Sequence, residues 1–258
     1  MKTLIKRFVK PFPALERHAR RLGYLLANRV RFRRPQKTYA QYGEDLLIAS
    51  LMRWLRIERP SYLDIGAHHP TYLSNTYLLY KRGSRGVCIE PDPELFVRLA
   101  RVRRKDKHLN VGIGFDDTRY ADFYVMSARG LNTFSAEEAQ SHVAGGHSIE
   151  RTIKVPLRQV NEVIQEHFEP WPNIISIDVE GLDGAILKSL DFNRFRPEAF
   201  CVETLCTTDL SKRPEIMSLM LEKDYMIFAD TFTNTIFVEG KSWRNARQVV
   251  SEAVGIPT

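Results

Sequence analysis

The sequence predicts an α/β domain in which a mostly parallel sheet is covered by helices on both faces. Three observations carry that expectation. Short apolar runs alternate with stretches of helical periodicity from Tyr39 onward, the signature of strand–helix–strand units. The runs at residues 61–67, 86–90 and 174–179 are short and apolar, as buried parallel strands are. The runs at 225–229 and 235–238 lie close enough to form a hairpin around Thr233-Asn234, which closes the sheet with an antiparallel strand. With 258 residues, 43% hydrophobic and 27% charged, the chain has the composition of one large domain with a sizeable core.

Each element has a local reason. Residues 41–55 carry Leu46, Leu47, Ile48, Ala49, Leu51 and Leu55 and form an opening helix. After strand 61–67, residues 72–82 form a helix with Leu73, Tyr77 and Tyr80 on one face and Gly83 ending it. Strand 86–90 leads to Asp92 as an N-cap, with Pro93 in the first helical position and Phe96, Val97 and Ala100 facing inward. Residues 108–113 and 121–125 are the next strands. Residues 126–151 are polar and lack a clean period, with Gly130, Gly145 and Gly146 among them; so long an irregular insertion in a compact domain is usually functional. Strand 152–157 then leads to helix 158–168, with Val160, Val163, Ile164 and Phe168 inward. Strand 174–179 leads to helix 182–190, strand 200–203 to helix 214–221, and residues 241–258 form a C-terminal tail.

The formal charge of +7 is unevenly placed. Residues 1–35 hold eleven Lys/Arg against the single acid Glu16, an excess of +10 that leaves −3 on the rest. Pro11 and Pro13 divide this basic arm into two short helical stretches. A basic amphipathic helix lies on an anionic membrane surface, and it equally packs on the body or on a second subunit of a homo-oligomer. Cys88, Cys201 and Cys206 have neither disulfide nor zinc spacing, and the first two sit in apolar runs, which points to buried, reduced thiols. No run approaches the roughly 18 apolar residues of a membrane-spanning helix. Arg17, Arg20 and Arg21 interrupt any signal-peptide core. The expected location is the cytoplasm, at the inner face of the membrane if the arm binds there.

In such sheets ligands bind beyond the carboxyl ends of the strands, near the point where strand order reverses. Three strand ends carry acids. In Leu63-Asp64-Ile65-Gly66-Ala67, Gly66 lets the backbone approach a ligand and Asp64 can accept a hydrogen bond. The full Gly-x-Gly-x-x-Gly pattern is absent, which speaks against a dinucleotide cradle. Val87-Cys88-Ile89-Glu90 ends in an acid where a ribose diol is usually held. Ile177-Asp178-Val179-Glu180-Gly181-Leu182-Asp183 clusters three acids where a strand gives way to a helix. On an ideal strand Asp178 and Glu180 point the same way. Helix capping accounts for one of the three; Glu203 adds a fourth acid at the next strand end.

Taken in order, Gln41-x-Gly43-x-Asp45, Asp64-x-Gly66-Ala67, Ser74-Asn75-Thr76-Tyr77, Ile89-Glu90-Pro91 and Asp178-Val179-Glu180-Gly181 resemble the FkbM family of S-adenosylmethionine-dependent methyltransferases. The likeness runs from about Tyr39 to Val238 and leaves out residues 1–35 and most of 126–151. Within that insertion Leu131-Asn132-Thr133 is similar to a family feature, with Asn132 where Ser is usual. The resemblance implies a Rossmann-like class I methyltransferase fold over residues 36–240, a mostly parallel seven-stranded sheet with a terminal antiparallel hairpin. It implies that Asp64 and Gly66 flank the methionine end of the cofactor, with Ala67 and Asn75 also in its binding site. It further implies that Glu90 holds the ribose and that Asp178 lies beside the sulfonium. The implied reaction is O-methylation of a hydroxyl on a sugar, glycan or natural-product acceptor, with residues 126–151 as a candidate acceptor lid.

A sugar hydroxyl is a poor nucleophile at neutral pH and needs a general base or a metal ion. Asp178 and Glu180 are the candidate catalytic residues, and with Glu203 they offer hard oxygen ligands for Mg²⁺. Alternatively one carboxylate, or His142, His147, His68 or His69, takes the proton. Both routes fit the sequence. Two other readings fit parts of it. An RNA methyltransferase would use the basic arm on phosphates, but the excess charge is confined to that arm and no RNA-binding motif is present. A non-catalytic, membrane-associated scaffold on a degenerate Rossmann core leaves the acids at three successive strand ends unexplained.

Overall fold

The computed structural model describes residues 36–205 and 210–254; the basic arm at 1–35 and Cys206 lie outside them. Residues from Thr38 onward form one unit. Its opening helix α1 (Glu44–Trp54) precedes β1 (Tyr62–Ile65), α2 (Tyr77–Lys81), β2 (Gly86–Ile89), α3 (Pro93–Val102) and β3 (Lys107–Leu109). After the insertion follow α5 (Val160–His167), β7 (Ile174–Ile177), α6 (Asp183–Ser189), β8 (Ala199–Glu203) and α7 (Pro214–Glu222). The hairpin strands β9 (Tyr225–Asp230) and β10 (Asn234–Glu239) complete a sheet of order β3-β2-β1-β7-β8-β10-β9. β3, β2, β1, β7 and β8 pair in parallel, and β10 runs antiparallel to both neighbours. This is the seven-stranded, mostly parallel sheet with a closing hairpin that the sequence predicts.

Strand alternation explains the two-sided burial. Leu63, Ile65, Val87, Ile89, Ile175 and Ile177 point into one core, filled from outside by Val163, Ile164, Ile186 and Ile216. Tyr62, Cys88, Ile174, Ala199 and Cys201 point into the other, filled by Ile48, Leu51, Leu78 and Leu99. Cys88 and Cys201 are free and buried. No helix among the described residues is long and apolar enough to cross a membrane.

Several boundaries differ from the sequence expectation, each for a physical reason. The helix expected over 72–82 begins only at Tyr77, because the preceding loop is held otherwise. Leu73 has φ 54°, the Ser74 amide donates to the Tyr39 carbonyl, and the Thr76 hydroxyl is spent on Asp64. Asp92 caps α3 through the Glu94 and Leu95 amides as expected. Its buried face is Leu95 and Leu99, however, and Val97 is 42% exposed. The run at 108–113 splits into β3 and β4 (Gly112–Gly114), which leaves the main sheet to pair with β6 (Ile149–Gln159). At the break Asn110 Nδ2 donates to the carbonyls of Glu90 and Pro91. The insertion is ordered: β5 (Tyr120–Met126) pairs with β6, and a 3-10 turn at Arg129–Leu131 and helix α4 (Ala136–Ala144) lie between them. The C-terminal tail contains helix α8 (Gly240–Val254).

Candidate active site

Strand order reverses between β1 and β7, and there the carboxyl ends of the strands open onto a cleft of about 300 Å³. The strands approach one another closely at its floor. The Asp178 amide donates to the Ile65 carbonyl, and the Gly66 and Ala67 amides both donate to the Ile89 carbonyl. Gly66 has φ 80°, and a Cβ there would sit 1.9 Å from the Asp178 carbonyl oxygen. Only glycine fits.

Glu90 lines the cleft at the end of β2 while almost fully buried. Its Oε2 accepts from the His68 amide at 2.7 Å and its Oε1 from the Asp92 amide at 2.8 Å. Each oxygen keeps one further hydrogen-bonding position for a ligand in the cleft, a lone pair on both when the group is ionised and an O–H on one of them when it is protonated. Burial outweighs these two bonds and pushes the Glu90 carboxyl up to about 8. Because the folded protein holds this proton and the unfolded chain releases it near 4.5, Glu90 costs stability as pH rises from about 4.5 to about 8. Glu90→Gln, which carries no such proton, should therefore gain thermal stability relative to the parent between pH 5 and pH 8. The comparison separates Glu90 from His68, whose imidazole is held low by burial and acts in the opposite sense. A melting-temperature difference constant over that range would contradict the assignment.

Asp178, Glu180 and Glu203 form the centre of the cleft, each with a carboxylate oxygen within 4.8 Å of the others. They do not meet as same-face strand neighbours, since β7 ends at Ile177. A left-handed turn, Glu180 at φ 52° and Gly181 at φ 101°, brings Glu180 back beside Asp178. Asp183, the first residue of α6, holds the turn rather than capping the helix: it accepts from the Val179 and Gly181 amides at 3.2 and 3.3 Å. Burial and then Asp183 raise Asp178 to about 7. Burial first, then the neighbouring acids, raise Glu180 and Glu203 well above the usual carboxylate range, with Arg213 opposing. Three hard oxygen donors without sulfur or imidazole suit a hard divalent cation.

The structure separates the other expected site residues. Gly66 and Asn75 line the cleft, with Asn75 Nδ2 donating to Ser176 Oγ at 3.2 Å. Asp64 and Ala67 are not among its lining residues. The Asp64 side chain points beneath the floor, where it takes the Thr76 hydroxyl and Arg103 Nη1. Arg103, fully buried, also donates to Asp106, Tyr62 and Thr76. His69 Nδ1 accepts from the Thr71 and Tyr72 amides, a turn-holding role. His68 lines the cleft; His142 and His147 do not.

Two groups of lining residues were not named as site residues from the sequence, the first of them lying in the insertion expected only as a candidate lid. The insertion contributes Arg129, Gly130, Leu131, Asn132 and Phe134. Asn132 accepts from the Met126 amide and donates to Asp92, and the Thr133 hydroxyl donates to the Glu180 carbonyl at 3.0 Å. The second group, Tyr42, Phe232 and Asn234, comes from opposite ends of the domain. Fully buried Glu44 joins them, accepting from the Tyr42 amide, the Thr231 hydroxyl and Asn234 Nδ2. Their only local signal was the Gln-x-Gly-x-Asp opening around Glu44.

Residues 64–227 match the family described as the methyltransferase FkbM domain. No curated protein is matched. Among solved structures, a TehB-like SAM-dependent methyltransferase from Corynebacterium glutamicum is 10% identical over 87% of this chain and 97% of that one, with a TM-score of 0.41. An O-methyltransferase from Bacillus cereus in complex with SAH is 12% identical over 84% and 88%, with a TM-score of 0.38. A precorrin-6y C5,15-methyltransferase from Geobacter metallireducens is 12% identical over 75% and 77%, also with a TM-score of 0.38.

Proposed function

Because the chain belongs to the FkbM methyltransferase family, we propose that it uses S-adenosylmethionine to methylate a hydroxyl on a sugar, glycan or natural-product acceptor. The observation that carries the reading is Asp178: a carboxylate at the switch point of the sheet, open to the cleft and raised to about 7. That value suits a base working at neutral pH.

The chain's residues fit the cofactor. Glu90 presents free lone pairs for two ribose hydroxyls, Asn75 lies on the cleft wall, and Gly66 keeps the floor narrow without a side chain in the way. When bound, S-adenosylmethionine supplies an electrophilic methyl group. Asp178 would then orient the acceptor hydroxyl and take its proton as the new C–O bond forms, while the methyl–sulfur bond breaks and a neutral thioether leaves. A second reading rests on the spacing of Asp178, Glu180 and Glu203: a Mg²⁺ held by the three lowers the pKa of the acceptor hydroxyl instead. With Arg129 the one Lys or Arg among the described lining residues, the cleft offers a phosphate-rich acceptor such as RNA few partners.

Radiolabelled methyl transfer from S-adenosylmethionine into fractionated cell glycans, lipids and RNA tests the reading. Label is expected in glycan, lipid or small-molecule fractions; label confined to RNA, or none at all, would overturn it. Cofactor binding has its own check. Glu90→Gln should weaken S-adenosylmethionine binding by about 1.5 kcal/mol, roughly tenfold, by calorimetry. Glu90→Ala is a poorer variant because it strands both the His68 and Asp92 amides, whereas the Gln oxygen still accepts from one of them. An unchanged dissociation constant in the Gln variant would take Glu90 out of the cofactor site.

A further inference from the structure

We propose that Tyr42, Phe232 and Asn234 form the acceptor subsite, and that it takes a neutral ring with one apolar face and free hydroxyls, a glycosyl ring. The inference rests on the methyltransferase reading and says which end of the cleft receives the acceptor.

Position comes first. Along the sheet the strands run β2, β1, β7, β8, β10, about 4.8 Å apart. Glu90 closes the β2 end of the cleft and Asp178 stands at β7. If the ribose is held at one and the methyl group delivered at the other, the acceptor must lie beyond, toward β8 and β10. Asn234 opens β10 and is the register partner of Glu203 on β8.

The side chains at that end are aimed outward at a cost. Tyr42 and Phe232 are each 53% exposed, and their rings meet nearly perpendicular at 6.2 Å. Phe232 is held at φ 70°, a backbone region that bulky residues rarely adopt and that concentrates at ligand sites. The result is an aromatic edge at the mouth on which no other ring of the described residues stacks. The C–H face of a sugar ring fits such an edge, as apolar lining with a few fixed polar groups is the general form of a small-molecule site.

Asn234 supplies the polar part. It is 2% exposed, its Nδ2 is committed to Glu44, and its Oδ1 has no partner among the described residues. A buried acceptor left empty is costly, and it is satisfied by a ligand hydroxyl. Glu44 fixes both Tyr42 and Asn234, so the subsite is built before any acceptor arrives. Charge sets the remaining condition. Arg129 is the one Lys or Arg among the described lining residues and stands with the insertion, while Asp178, Glu180 and Glu203 face the acceptor end. A phosphorylated ring therefore finds no lining cation at that end to pair with.

The test is saturation-transfer NMR on the full chain saturated with S-adenosylhomocysteine, with methyl glucopyranoside and methyl rhamnopyranoside as probes and glucose 6-phosphate and catechol as comparators. Transfer to the ring protons of at least one methyl glycoside is expected, with none to glucose 6-phosphate or catechol. Tyr42→Ala/Phe232→Gly changes only exposed side chains and relieves the φ at 232. It should cut that signal at least fivefold while leaving S-adenosylhomocysteine affinity within twofold. Silence from both glycosides, equal transfer to either comparator, or equal transfer in the double variant would overturn the subsite. Failure of S-adenosylhomocysteine itself to bind would appear in calorimetry before any glycoside is added, and would remove the methyltransferase reading and the subsite together.

Discussion

Asp178→Asn should abolish most turnover, a loss on the order of 10²–10⁴-fold, with the fold intact. The amide is nearly isosteric but cannot take a proton or carry the charge. Burial and Asp183 hold Asp178 near 7, so kcat/KM of the parent should rise with pH below about 7 and level off above it, where the carboxylate is ionised. The neighbouring acid separates the two routes. If Asp178 works alone as base, Glu180→Gln should be mild and chelators harmless. If a divalent cation bridges the cluster, Glu180→Gln should be as damaging as Asp178→Asn, and activity lost to a chelator should return with Mg²⁺. Full activity in both variants on the true acceptor would reduce the cluster to a structural turn before α6.

Arg103→Ala should be the most destabilising single change beneath the site. The guanidinium is fully buried, 2.8 Å from Asp106, 3.5 Å from Asp64 and 2.9 Å from both the Tyr62 and Thr76 hydroxyls. Removing one partner of a buried ion pair costs about 3–5 kcal/mol, because the other charge is left in the interior. For a domain of this size that is a fall of roughly 6–20 °C in Tm. Burial already raises Asp64 and Arg103 opposes it, so without Arg103 the Asp64 carboxyl rises further. The folded state then loses stability as pH rises above the ordinary Asp range, and the deficit should be smaller at pH 5 than at pH 8. A deficit under about 1 kcal/mol, or one independent of pH, would show that Arg103 is not holding these acids.

What could be read from the sequence followed from the range of each interaction. The central strands were legible because both faces of Leu63–Ile65, Val87–Ile89 and Ile174–Ile177 are buried, which leaves apolar runs. The Asp92 cap was legible because its partners are two and three residues away. Asp64 was not, since an acid at a strand end reads alike whether it faces a ligand or an arginine 39 residues on. The convergence of Asp178 and Glu180 was expected from strand geometry and is produced instead by a left-handed turn. The buried face of α3 was misjudged because Phe96, Val97 and Ala100 look as apolar as Leu95 and Leu99. Asn234 read only as part of a hairpin turn, its partner Glu44 being 190 residues earlier.

That last separation bears on how the enzyme comes into being during synthesis. Glu44 belongs to the first helix of the domain, and its partners Thr231 and Asn234 lie 187 and 190 residues later. While the chain emerges from the ribosome, the five parallel strands can pair and collapse before those partners exist. Glu44 stays hydrated through that interval, since of its partners only the Tyr42 amide is yet at hand. Closing the loop pays its entropy late, so the mouth of the cleft is among the last regions to acquire its native shape. A nascent chain stalled before the hairpin would carry the cofactor half of the cleft and lack the half that chooses what is methylated.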